Sequence, residues 1–340
     1  MNKKNILLSL LLIVVLGVAF WMYQKNHSSS IAQNDFTQFA IEDTASIQKI
    51  FIVDHDGNKA LLERNAQSRI WNLNRKFKAR EDAMNNLLTV INRVRVRGNV
   101  SNTARDNMMK IMATSGKKVE IYTTDPDHPA KVYYIGSNTP DHCGTVMLLE
   151  IDGDKSPEPY ICHMEGFTGF LNPRFFAEEM EWRYTGIFDH PKLDIKEIDF
   201  QFNQPAWNYK ILFAGNNDIR LEQSGKNIPH FDTLAVKDML LRFKKIHLES
   251  YRTFLKPAAE DSIKQTRPLL QISVLSQSGN RESIRLFAKK AKDPVKDENG
   301  QLNPWDAEYV WGLNDQNEMG LAQRFVFDPI SIPLPQLIKQ

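Results

Sequence analysis

Two stretches of this chain carry the same apolar stripe, and a stripe of that kind leaves few folds open. Met84, Leu87, Leu88, Ile91 and Val94 recur in outline as Val236, Met239, Leu240, Phe243 and Ile246. Spacings of three and four residues put each set on one side of a 3.6-residue helix. Each stripe therefore asks for a helix with one greasy face, and the β-rich runs around it supply a sheet to cover that face. The expected class is α+β: two tandem, related α/β domains, each a mostly antiparallel sheet packed on one principal helix.

The order of landmarks supports a repeat. Ile47 and Ile195 open the two units, the stripes follow, then Val119 and Ile272, and finally Thr145 to Leu149 and Tyr309 to Leu313. Asp54-His55-Asp56-Gly57-Asn58 and Ser278-Gly279-Asn280 read as turns. The offset between copies changes only between elements, where insertions do not flip the side chains that follow. The largest change falls at Lys289 to Pro304, which reads as a long surface loop, and Phe325 to Phe327 is expected as the closing strand. The expected division is 44–190 and 191–340.

Ahead of these units lies a different kind of segment. Ile6 to Met22 is a run of seventeen residues without a charge, preceded by Lys3 and Lys4 and followed by Lys25. That length is at the short end for a membrane helix. The lysine bias keeps the amino terminus in the cytoplasm and exports the rest. Phe20, Trp21 and Tyr23 stand where a signal-peptide cleavage site would need small side chains. Residues 1–23 are thus expected to be an uncleaved inner-membrane anchor and 24–43 a polar tether, with the bulk of the chain periplasmic.

Apolar residues make up 42% and charged residues 25%, which excludes wholesale disorder. The net charge of +2 gives no general reason to expect a polyanion as partner, and no aromatic-interleaved basic motif points to nucleic acid. From Lys59 to Lys118, however, fourteen Lys and Arg face four Asp and Glu, so part of the first unit is distinctly basic.

Several stretches of the first unit are similar to a known family. They include Ser115-Gly116-Lys117-Lys118-Val119-Glu120-Ile121-Tyr122, Tyr134-Ile135-Gly136 with Thr139-Pro140-Asp141, and Gly144-Thr145-Val146-Met147-Leu148. Pro159-Tyr160-Ile161-Cys162-His163-Met164-Glu165-Gly166-Phe167, and Glu181-Trp182-Arg183 before Ile187-Phe188, complete the set. Together they resemble the bacterial domain of unknown function 4340, in the form found in Bacteroidetes-type envelope proteins, over residues 44 to 190 and more weakly beyond. The resemblance implies an envelope accessory role beside transporters of the gliding-associated ABC type, and it carries no catalytic set. Cys143 and Cys162 are not hallmarks of that family.

His142, Cys143, Cys162 and His163 form the sharpest candidate cluster. Successive side chains of a strand point to opposite faces. A register that joins the two cysteines therefore sends the histidines away, and a four-ligand zinc site does not close. That register allows a Cys143–Cys162 disulfide, free buried thiols are the other reading, and a one-residue slip would instead set Cys143 against His163 as a catalytic pair. Arg93, Arg95 and Arg97 alternate with Val94 and Val96 and could grip an anionic lipid or glycan, or be a solvated face paired with local acids. Asp54-His55-Asp56-Gly57-Asn58 lacks the spacing of a calcium loop, and Ser115-Gly116-Lys117 lacks the first glycine of a P-loop.

No metal or other cofactor is expected. The expected function is a non-catalytic envelope protein that docks on other envelope or inner-membrane proteins. Binding of an anionic lipid or glycan by the first unit is the second reading, and a Cys/His hydrolase the third.

Overall fold

A computed structural model describes residues 35–213, 218–251, 253–296 and 300–338. The expected anchor and most of the tether lie outside the described residues. No helix among the described residues is long and apolar enough to cross a membrane. Strand outweighs helix, 42% to 23%, and every strand pairing is antiparallel, so the class is α+β.

The chain forms two compact units that meet between Trp182 and Arg183. The break comes earlier than the expected one at 190, because Gly186–Phe188 pairs with Ile246–His247 and Phe188 is buried in the second core.

The first unit contains β1 (Lys49–Asp54), β2 (Lys59–Arg64), β3 (Trp71–Leu73), β4 (Phe77–Lys78), helix α1 (Glu81–Arg93), β5 (Val94–Asn99) and helix α2 (Asn102–Ser115). It continues with β6 (Lys117–Tyr122), β7 (Lys131–Asn138), β8 (Thr145–Ile151), β9 (Asp154–Lys155) and β10 (Tyr160–Met164). Its sheet has the order β4-β3-β2-β1-β6-β7-β8-β10-β5, with β9 on β8.

Alternation decides which face is core. In β1, Ile50 and Ile52 are fully buried while Lys49, Phe51 and Val53 turn the other way. The β1–β2 turn is the predicted one: Asp54 Oδ1 accepts from the Asn58 N–H at 2.9 Å and Gly57 takes φ +83°, a left-handed conformation natural to glycine.

Helix α1 lies over the core face. Ala83, Met84, Leu87, Val90 and Ile91 are buried, whereas Leu88 of the expected stripe is only half-buried. Glu81 and Asp82 in its first turn and Arg93 in its last oppose the helix dipole favourably.

The second unit has β11 (Gly186–Phe188), β12 (Ile195–Phe202), β13 (Tyr209–Phe213), β14 (Ile219–Gln223), β15 (Lys226–Ile228), α3 (Thr233–Arg242), β16 (Ile246–His247) and α4 (Pro257–Lys264). Then follow β17 (Leu270–Ser276), β18 (Arg281–Lys296), β19 (Leu302–Asn314) and β20 (Met319–Gln323).

Its main sheet has the order β15-β14-β13-β12-β17-β18-β19-β20, the order of the first sheet strand for strand as far as β20 and β10. The segment after β16 even returns to the same edge, through a bridge between Ser250 and Leu321, where β5 lies on β10 in the first unit.

Helix α3 starts where Asp232 accepts from the N–H groups of Leu234 and Ala235 at 3.0 Å each. It is shorter than the stripe implies: Val236 and Met239 are buried within it, but Phe243 and Ile246 are buried beyond its end.

Three sequence expectations fail locally. Phe325 to Phe327 is helical, and the closing strand is Met319–Gln323. Within the expected loop from Lys289 to Pro304, residues 289–296 and 302–304 are strand, because β18 and β19 run on as a two-stranded ribbon. Helices α2 and α4, at matching places in the two units, had no counterpart among the expected elements.

Candidate functional site

The cysteines do not face each other. Cys162 pairs across the ladder with Thr145, on the core side of the sheet, while Cys143 lies in the turn that precedes β8. Both are free thiols, so the disulfide considered from the sequence is not formed. Burial pushes the Cys162 thiol well up, which keeps it protonated and a poor nucleophile. Cys143 is half-exposed and its Sγ donates to the Asp141 carbonyl at 3.1 Å.

The alternation that buries Cys162 turns His163 to the other face, where its ladder partner is Arg95, so these neighbours do not form a nucleophile–base pair. His142 stands in the turn with φ +57° and packs on Phe170 at 5.7 Å between ring centres. Among the described residues no three His, Cys, Asp or Glu side chains converge as a metal site would require.

A labelling experiment follows directly. In the native protein a thiol reagent modifies Cys143 alone, Cys162 reacts only after unfolding, and intact mass shows no two-dalton shift on reduction. Equal native rates at both positions would contradict this burial.

The three arginines have separate environments. Arg93 ends α1, whereas Arg95 and Arg97 lie on the exposed side of β5 at the sheet edge. Arg95 Nη1 donates to the carbonyls of Asn92 and Val94 at 3.1 and 3.0 Å, satisfying the open end of the helix. Arg97 Nη1 meets Asp141 Oδ2 at 2.8 Å. Hydrogen bonds from the Thr139 hydroxyl, the Cys143 N–H and Arg97 hold the Asp141 carboxyl down at about 2. These contacts tie β5 to the turn before β8, and Arg97 already has its anion. The anion grip is one of the two readings of the alternation, and contacts of Arg95 and Arg97 within the protein itself accord with the other.

Two other features stand out instead. The first is the β18–β19 ribbon. Pairing of β17 with β18 ends at Leu286, and pairing of β19 with β20 begins at Tyr309, so neither strand has a third neighbour along the ribbon. Lys289 Nζ grips Asp306 at 2.5 Å at its base, and Asp306 also accepts from the N–H groups of Glu308 and Tyr309. Farther out Val295, Leu302 and Trp305 are 71%, 65% and 46% exposed.

The second is a cleft of about 290 Å³ on the outer face of the first sheet, beneath the C-terminal half of α2. Val53, Leu148, Met109 and Met112 line it with the Tyr134 ring, and Lys117, Lys118 and Lys155 stand around it with His55 and Asp54. The sequence signals for both were weak. The methionines of α2 show no helical stripe with a buried face, and the ribbon reads by composition as a loop.

No family model matches the chain, and no curated protein and no solved structure is similar to it. The resemblance to the domain of unknown function 4340 therefore rests on the quoted stretches alone.

Proposed function

We propose that the protein is a non-catalytic docking subunit of the cell envelope, held at the inner membrane by residues 1–23, whose two units are copies of one α+β building block. The observation that carries the docking role is the ribbon. A two-stranded β structure without a packed face is marginal in water, and exposed Val295, Leu302 and Trp305 lose nothing by being covered. Trp is also among the residues that most often anchor a protein interface. The matching strand orders support the duplication, and the short turn between Asn138 and Thr145 marks where the copies diverged, since the ribbon occupies the same connection in the second unit. The accessory role beside a transporter is the most specific form of this reading and comes from the family resemblance.

The test is photo-crosslinking of the full chain in native membranes, with the reactive residue placed at Leu302 or Trp305 and, as a control, at exposed Leu234. A discrete protein adduct is expected from the ribbon and not from the control. Leu302→Asp with Trp305→Ala removes the adduct while changing stability by less than about 0.5 kcal/mol per site, because both side chains face solvent. Adducts from the control position alone, or from neither, would refute docking through the ribbon.

A further inference from the structure

We propose that the partner held by the ribbon is a protein whose surface sets apolar pockets beside carboxylates. Trp305 and Leu302 enter the pockets, and the lysine next to each of them meets the acid. This rests on the docking role of the ribbon and adds the chemistry of what is docked.

The ladder itself makes the pairs. Residues directly opposite each other in an antiparallel ribbon put their side chains on the same face, with Cβ atoms about 4.5–5.5 Å apart. Lys290 is the ladder partner of Trp305, and Lys296 is the partner of Leu302. All four residues are exposed. Each of these apolar groups therefore carries a cation at its shoulder, whereas exposed Val295 stands opposite the uncharged Asn303.

The segment that presents Trp305 is ordered before anything binds. The Trp305 N–H donates to Asn303 Oδ1 at 3.0 Å. Four donors converge on the next residue, Asp306. Lys289 Nζ and the N–H groups of Glu308 and Tyr309 reach its carboxylate, and Arg324 Nε reaches its carbonyl at 3.1 Å. Order already present in the free protein lowers the entropy lost on association.

The charge balance chooses the occupant. From Lys289 to Glu308 the sequence holds four lysines and five carboxylates, a sum of −1. An anionic bilayer attracts a segment by its summed positive charge, and here there is none. A carboxylate placed next to one lysine acts differently. At physiological salt its pull is confined to about 8 Å, so it answers to the nearest cation and not to the sum. An apolar anchor with a matched charge at its rim is how protein surfaces recognise each other.

The test uses the full chain in native membranes. A photoreactive residue is placed at Leu302 or Trp305, and a separate sample of the parent is treated with a zero-length carbodiimide, which joins an amine to a carboxylate as an amide. Tandem mass spectrometry is expected to find Lys290 or Lys296 joined to an Asp or Glu of the same protein that the photoreactive residue captures. Lys290→Glu with Lys296→Glu lowers the photo-adduct about 10-fold or more. Lys290→Arg with Lys296→Arg keeps the photo-adduct and loses the amide, because a guanidinium is not joined. Thermal melts of both double variants overlay the parent's. Capture of a protein without such an amide, or at undiminished yield from the glutamate variant, overturns the carboxylate match and leaves docking intact. Photo-adducts to lipid alone, or to a second copy of the chain, overturn it in favour of those occupants. No adduct from the ribbon refutes docking itself, and this proposal with it.

Discussion

Trp182→Ala costs the first unit about 3–5 kcal/mol of unfolding free energy, the range for removing a large buried aromatic. The indole is fully buried, its Nε1 donates to the Phe176 carbonyl at 2.9 Å, and its ring meets Phe176 edge-on at 5.5 Å. Its carbonyl also accepts from the Arg80 N–H at 2.7 Å, just where α1 begins, so the residue closes the unit onto its principal helix. Denaturant unfolding followed by circular dichroism measures the loss. Trp182→Phe keeps most of the packing and loses one buried hydrogen bond, so it falls nearer about 1–2 kcal/mol. A loss below that for the alanine variant would mean the tryptophan is not a core residue.

The second large effect is Glu318→Ala. Arg183 is 7% exposed, its guanidinium bonds the Glu318 carboxylate, and it lies over the Tyr251 ring at 3.9 Å. Asn314 joins the group, giving its side-chain N–H to the Tyr251 hydroxyl at 3.2 Å and taking the Glu318 N–H at 2.8 Å. Removing the acid takes from a buried cation the carboxylate bonded to it. Breaking a fully buried pair costs about 3–5 kcal/mol, and the 31% exposure of the Glu318 side chain brings the expected loss to about 2–3 kcal/mol. Arg183→Met combined with Glu318→Leu restores most of that loss, because the buried charge is gone as well as its partner. If the double variant were no more stable than Glu318→Ala in the same unfolding assay, the charge would not be the cause.

What the sequence made legible followed from periodicity. The stripe from Met84 to Ile91 is a helix against a sheet because few other arrangements bury apolar residues so spaced, and Ile50 and Ile52 announce a half-buried strand by alternation alone. Long-range pairing was much less accessible. Cys162 opposes Thr145 and not Cys143 because the turn after Asn138 consumes the residues that a simple hairpin would have paired. An acid partner for Arg97 was one of the two readings, but which acid was not legible, because Asp141 is distant in sequence and reaches it through the β10–β5 edge. Helix α2 escaped notice for a physical reason: with no buried residue it has no reason to carry an apolar stripe, and the same looseness leaves the cleft open.

The ribbon's bare edges limit how anything can hold it. An unpaired strand margin ordinarily invites another chain to extend the sheet. Here Pro294 and Pro304 withhold their amide donors, and Lys290, Lys292 and Lys296 stud the outgoing strand. Such a margin discourages strand addition and with it fibrillar self-association. Whatever grasps the ribbon must therefore read its side chains from above or below, as a hand closes on a blade by the flat.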